Sequence, residues 1–282
     1  MNWTRVKAEA VNVAGAVVVC VVISLVFMCL IDVFRQAGVG KRDAPAAPTP
    51  TTQTFSIADQ VAQVRPAVVH IAKHGVCQGS GALISADGIV FSAKHVSDGE
   101  PGEYTVTLDD GREFPVKYVV EDKENDISFM QLDLRGQEPN LPYATLAAAE
   151  PRVGDGLIIG GSPLGKENFN TFSFGVLSAD GRDLAGQAPS EADRYTWHVM
   201  LQTTSPAYPG NSGGPVFNMQ GEVVGVLVAG VDATLNWAVP VARFAGTIDT
   251  VRRWFELCRF NVVEDAPKAD LYPAYYGHAS HY

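Results

Sequence analysis

Cysteine is scarce in this chain. The four cysteines, Cys20, Cys29, Cys77 and Cys258, fit no CxxC pair and no zinc-ligand spacing. A zinc scaffold and a disulfide-built miniprotein are excluded. Cys77 and Cys258 lie far apart in sequence. They would pair only if the fold brought their Cα atoms within roughly 7 Å, and no disulfide is expected. Basic clusters are equally scarce, the longest being Lys41-Arg42, and the formal net charge is −10. A nucleic-acid backbone needs a basic footprint, so nucleic acid is not an expected partner. Charged residues make up only 18% of the chain against 46% hydrophobic, which rules out a largely disordered protein.

Charge is absent altogether from residues 11–31, VNVAGAVVVCVVISLVFMCLI. As a helix, this run would span about 32 Å at roughly 1.5 Å per residue, enough for a bilayer core. A cleaved signal peptide would need small residues at the end of the run; Met28-Cys29-Leu30-Ile31 stand there instead. The expectation is a retained anchor over 11–34, behind an N-terminal flank at 1–10. Arg5 and Lys7 before the run nearly balance Arg35, Lys41 and Arg42 after it, so charge hardly sets the orientation. Residues 35–54 are rich in Pro, Thr and Ala and read as an extended linker.

The folded region is expected over 55–258, with a tail at 259–282. Ser56 followed by Asp59 marks a helix start. From residue 66 the pattern changes to short apolar runs separated by Gly, Asp and Pro. AVVHIA, GALIS, GIVFSA, YTVTL and FPVKYVV form one series. GLIIGG, FSFGVLS, WHVMLQTT, GPVF, EVVGVLVAG and NWAVPV form a second. Such spacing predicts an all-β architecture of antiparallel sandwiches or barrels. The break at 136–152 gives two units, about 66–140 and 150–240. Phe244, Ile248, Val251 and Phe255 recur at helical spacing, which predicts a C-terminal helix over about 241–258.

The stretch PAYPGNSGGPVFN, 206–218, surrounds Ser212 with glycines and prolines. A serine hydroxyl is a poor nucleophile without a base to take its proton and an acid to orient that base. It also needs backbone N–H groups aimed at the developing oxyanion. Six histidines are available. His278 and His281 lie in the tail, His70 and His74 flank an early strand, and His198 lies in a strand pattern. His95 stands at a strand end, at the mouth of a turn. Asp126 opens an apolar strand, whereas Asp122 lies in the charged run EDKEN and reads as solvated. Pro209 stiffens the serine turn up to its own φ; the peptide that follows is left pliable by its free ψ and by Gly210.

These segments resemble the chymotrypsin-fold serine proteases of the HtrA/Deg group. GSGALISADGIVFSAKHVSDG (79–99) is similar to that group's histidine motif, and NDISFMQL (125–132) to its aspartate motif. GDGLIIGGSPLG and FNTFSFGVLSADGR resemble its second-barrel segments. LQTTSPAYPGNSGGPVFNMQGEVVGV (201–226) resembles its serine motif. The likeness runs from about residue 56 to 257. It implies two antiparallel six-stranded β-barrels with the site between them. His95 would be the general base, Asp126 its orienting acid and Ser212 the nucleophile. Gly210 and Ser212 would supply the oxyanion-hole N–H groups. No metal and no cofactor are implied. A substrate pocket is expected from Ser205, Pro206 and Ala207 with Val228, Ala229 and Gly230, none of them charged. The expected partners are unfolded or extended polypeptides, the membrane through residues 11–31, and, as an open expectation, further copies of the chain. The protease domain is expected on the non-cytoplasmic side, periplasmic or extracellular. Nothing after residue 258 resembles the PDZ domain that many of the group carry, so PDZ-mediated capture is not carried over. A catalytically silent scaffold on the same fold is the alternative.

Overall fold

The computed structural model describes residues 56–138, 140–184 and 199–259, together with the backbone of 268–270. The N-terminal flank, the anchor, the linker, Cys20, Cys29, His198 and most of the tail lie outside the described residues. No helix among the described residues is long and apolar enough to cross a membrane.

The chain enters through helix α1, Ile57–Val64, whose N-cap is Ser56; the Ser56 hydroxyl accepts the Asp59 N–H at 3.4 Å. Capping satisfies one of the orphan donors of the first turn. Val64 is buried, while Val61 packs at the core's edge. Six strands follow: β1 Val68–Lys73, β2 Val76–Leu83, β3 Ile89–Ala93, β4 Tyr104–Thr107, β5 Glu113–Asp122 and β6 Ile127–Leu132. They pair antiparallel in the order β4-β1-β2-β3-β6-β5, and β5 also pairs with β4, which closes the first barrel. The second barrel is closed by β7 Gly156–Gly161, β8 Thr171–Arg182, β9 Met200–Thr203, β10 Pro215–Phe217, β11 Val223–Asp232 and β12 Leu235–Pro240. Closure pairs the strands around both rings and leaves an edge in the first along the second half of β5, beyond the reach of β4.

The break in the apolar pattern is the connection between the barrels, and it binds to both. Ala144 N–H donates to Leu83 in the first barrel, and Val223 N–H of the second donates to Thr145. β2 is longer than the apolar run GALIS. It begins at Val76, because its partly exposed first residues, Val76-Cys77-Gln78, pair with β1 across a bulge at Ile71/Ala72. Backbone pairing there outruns the hydrophobic pattern.

The C-terminal helix begins later than expected. Val241–Arg243 and Ala245–Thr247 are 3-10 turns, and helix α2 covers Ile248–Arg259. Phe244, which fits the helical period, sits between the turns with φ −128°. Gly246, two residues on, weakens helix continuation. Phe244 is fully buried against Phe91 of β3 and Phe129 of β6, with ring centroids 6.3 and 6.2 Å away. The segment leaving the second barrel is thus tied back to the first. Ile248, Val251, Phe255 and Cys258 form the buried face of α2. Cys77 and Cys258 are both free thiols. A short strand β13, Lys268–Asp270, falls in the stretch read as a tail and runs parallel to Val119–Glu121 of β5.

Removal of the Phe244 ring leaves a cavity between two barrel strands. Phe244→Ala is expected to cost about 3–5 kcal/mol and to lower the melting temperature by roughly 6–20 °C. Denaturant and thermal unfolding measure it; a loss below about 1 kcal/mol would refute this tie.

Candidate functional site

The register of β3 against β6 builds the first half of the site. Ala93 faces Ile127 and Ser92 faces Ser128. The residues that follow β3 therefore meet the residue that precedes β6. His95 lies in the 3-10 turn Lys94–Val96, and Asp126 ends the β5–β6 turn with φ +57°. Asp126 grips the opposite turn three ways. Its carbonyl accepts the Lys94 N–H at 3.0 Å, and Oδ1 accepts the His95 N–H at 3.0 Å. Oδ2 lies 2.9 Å from His95 Nδ1. The Asp126 side chain is fully buried, while the imidazole is 34% exposed. A buried carboxylate on Nδ1 leaves Nε2 as the ring nitrogen available to face the cleft.

The other carboxylate candidate has a different place. Asp122 is buried, not solvated, and accepts the Asn125 N–H at 3.1 Å and the Asn125 side-chain amide at 2.7 Å. It holds the turn that presents Asp126. A run of charged letters concealed it, because strand β5 continues inward through Glu121 and Asp122. His70 is buried in β1; desolvation holds its imidazole below the ordinary pKa, and its ring contact is with Phe169. His74 is exposed beside Glu103. Neither reaches the cleft.

The second half is the loop between β9 and β10. Asn211 N–H donates to the Tyr208 carbonyl at 3.0 Å, and Gly210 has φ +98°. Proline second and a positive-φ glycine third are the signature of a type II turn. A side chain at 210 would stand 2.3 Å from the Ser162 carbonyl oxygen, so only glycine fits. Every carbonyl from 208 to 212 has a donor. Tyr208 takes Asn211 N–H, Pro209 takes Leu164 N–H at 2.7 Å, and Gly210 takes the Ser80 hydroxyl at 2.7 Å. Asn211 takes Gly214 N–H at 2.9 Å, and Ser212 takes Ser80 N–H at 2.8 Å. Gly213 N–H donates to Leu227. The N–H groups of Gly210 and Ser212 have no acceptor among the described residues. The peptide after Pro209, which sequence alone leaves pliable, is pinned by the neighbouring loop.

His95 and Ser212 face one cavity of about 640 Å³. Ala207, Val228, Ala229 and Gly230 line it. Ser205 and Pro206 stand behind this wall: the Ser205 hydroxyl donates to the Leu157 carbonyl, and the Pro206 carbonyl accepts from Ser173. Sequence reasoning missed Leu184, Tyr208, Asp232, Asn236 and Trp237. Asp232 corrects the expectation of an uncharged lining. It is exposed, and the Thr234 N–H holds its carboxyl below the ordinary range. Bulges between Leu227 and Ala229 and between Gly230 and Asp232 swing it to the cavity, and a bulge leaves no mark in an apolar run. Among the described residues no group of His, Cys, Asp or Glu is placed to hold a metal ion.

Residues 79–226 match the trypsin-like peptidase domain, more than half of the chain. The chain belongs to that family. A "Probable periplasmic serine endoprotease DegP-like" of Rhizobium meliloti is 35% identical over 181 residues, which are 62% of this chain and 33% of that protein. A protein of the same description from Halomonas elongata is 33% identical over 180 residues, 62% of this chain and 35% of the relative. The chain thus spans about a third of the length of these curated relatives. Among solved structures, "HtrA-type protease AlgWS227A with tripeptide" is 27% identical with a TM-score of 0.59, covering 70% of this chain and 63% of that one. The trypsin-like chain is therefore similar to HtrA and DegP proteases in both sequence and architecture.

Proposed function

We propose that this chain is a serine endopeptidase anchored in a membrane by residues 11–31, with its barrels on the periplasmic side. The observation that carries the catalytic reading is the buried Asp126 carboxylate 2.9 Å from His95 Nδ1, in the same cleft as Ser212. The periplasmic placement rests on the description of the DegP-like relatives.

Ser212 Oγ attacks the scissile carbonyl carbon while His95 Nε2 takes its proton. Asp126 orients the ring and stabilises the imidazolium that forms. The new oxyanion lies between the N–H groups of Gly210 and Ser212. The carbon–nitrogen bond then breaks, and His95 returns the proton to the leaving amine. Water repeats the sequence on the acyl-enzyme: His95 takes a water proton, hydroxide adds to the carbonyl, and Ser212 regains its proton as the acid leaves. The chemistry uses no metal or cofactor. Its substrates are polypeptides in extended form, in keeping with the peptide carried by the HtrA-type relative.

Ser212→Ala and His95→Ala are expected to lower kcat/KM by several orders of magnitude with the fold unchanged, and Ser212→Ala to end labelling by a fluorophosphonate. Asn tolerates left-handed backbone, so Asp126→Asn preserves the turn and still loses about 10⁴ in kcat. Asp122→Asn instead costs stability, about 1–3 kcal/mol. Wild-type protein that takes no label and cleaves no unfolded substrate would identify a silent scaffold. Greater damage to kcat from Asp122→Asn than from Asp126→Asn would reassign the acid.

The cavity offers apolar side chains at Ala207, Leu227, Val228 and Trp237, and its carboxylate is already engaged by Thr234. That carboxylate is exposed, and a charge in solvent offsets only part of the desolvation of a buried cation. A peptide-library profile is expected to favour an apolar residue before the scissile bond. Dominance of Arg or Lys would place Asp232 in the recognition of that side chain.

Residues 11–31 are expected to hold the full chain in the membrane fraction through carbonate extraction, with its barrels digestible only from the non-cytoplasmic face. Release by carbonate, or digestion from the cytoplasmic face, would refute the anchor or its orientation.

A further inference from the structure

We propose that Ser80 is a positioning residue for the oxyanion site. This inference rests on the catalytic reading of Gly210 and Ser212. Ser80 lies on β2 of the first barrel and is fully buried, yet its groups reach both donor residues in the second. Its N–H donates to the Ser212 carbonyl at 2.8 Å, and its hydroxyl donates to the Gly210 carbonyl at 2.7 Å. The hydroxyl oxygen accepts the Ser162 N–H at 2.9 Å, from the loop whose Leu164 N–H holds the Pro209 carbonyl. Its own carbonyl accepts the Ser92 hydroxyl at 2.8 Å.

Peptide geometry makes this hydroxyl matter. A trans peptide points its N–H opposite to its C=O. The direction of the Gly210 N–H is thus set by the Pro209 carbonyl, and the twist at Gly210 by the two peptides that flank it. Leu164 holds the first of these. The second is held at its N–H by the Tyr208 carbonyl and at its C=O by Ser80 Oγ, which is the only side chain among the five donors to carbonyls 208–212. Glycine resists rotation least of all residues. Without the hydroxyl, the Gly210–Asn211 peptide keeps only its Asn211 N–H bond to Tyr208, its carbonyl has no partner, and the Gly210 N–H loses its aim. The Ser162 N–H loses its acceptor at the same time, which loosens the loop that pins Pro209. The space is shaped for this strut: a side chain at Gly161 would stand 2.9 Å from Ser80 Oγ.

A group that aims an oxyanion donor acts on the transition state and hardly on the ground state. Ser80→Ala is therefore expected to lower kcat on a chromogenic peptide about 10- to 100-fold, with KM within about twofold. Affinity for a peptide aldehyde, which forms a tetrahedral adduct on Ser212, should fall by the same factor as kcat. Affinity for a product-like peptide acid should not change. Ser85→Ala is the stability control. It removes another buried serine hydroxyl bond, to Ile89 N–H at 2.9 Å in the β2–β3 turn, and should leave kcat unchanged. If Ser80→Ala does not fold, Ser80→Cys keeps a weak donor and should show the same selective loss of kcat, less deeply. A kcat within twofold of wild type in the variant that folds, a loss confined to KM, or an equal loss in Ser85→Ala would overturn the proposal. These outcomes leave the catalytic reading standing, because that reading is tested separately, by activity in Ser212→Ala and by labelling and cleavage with the wild-type protein.

Discussion

The arrangement of the serine loop depends on carbonyls that are all satisfied beside N–H groups left open at Gly210 and Ser212. Carbonyls 208 to 212 are each held, while the N–H groups of Gly210 and Ser212 have no acceptor among the described residues. An unpaired backbone donor is costly to bury. Two of them in one short loop, whose carbonyls are all satisfied, form a concentrated demand for negative charge. The donors that hold this loop come from two places outside it, β2 of the first barrel and the loop after β7 of the second. Packing between the barrels is therefore also the alignment of the site. Phe244 reinforces this packing by returning the chain to β3 and β6, whose ends carry His95 and Asp126.

The imidazole and the carboxylate rely on a different device, a strand register. A shift of one residue between β3 and β6 would separate Asp126 from His95 by a full residue step and turn alternate side chains to the other face. Three contacts from Asp126 to one short turn oppose such a slip. Below them Asp122 secures the β5–β6 turn through Asn125. Two neighbouring aspartates thus divide the work, one shaping the turn and the other meeting the ring.

Much of this was legible in the sequence. Short apolar runs marked eleven of the twelve barrel strands, and β6 was legible as the apolar strand that Asp126 opens, since each strand has a face that must be buried. The glycines around Ser212 and the strand-end places of His95 and Asp126 were equally readable. What was hidden is instructive in physical terms. The start of β2, Val76-Cys77-Gln78, is partly exposed and held by backbone pairing. The helix start was misplaced because Phe244 keeps the helical period while packing as an isolated anchor. Asp122 looked solvated among charged neighbours, though the strand carries it inward. Asp232 was hidden by bulges that change direction without changing composition.

Ser80 illustrates a further limit on what a sequence displays. In the stretch GSGALIS it is a small residue between two glycines, and its letter suggests no more than a tight strand. The glycines on either side have a physical reason: a side chain at Gly79 would stand 2.7 Å from the Ser212 carbonyl oxygen, and one at Gly81 would stand 2.5 Å from the Phe91 carbonyl oxygen. They let the strand approach the serine loop and β3 within backbone hydrogen-bonding distance. Once the approach is that close, the residue between them needs a hydroxyl short enough to reach one peptide and an N–H to reach another. Alanine would supply only the N–H, and a longer polar side chain would overrun the gap. The tripeptide Gly79-Ser80-Gly81 is therefore a contact between barrels written in the smallest residues available, and the polarity of its middle member follows from the carbonyl it must satisfy.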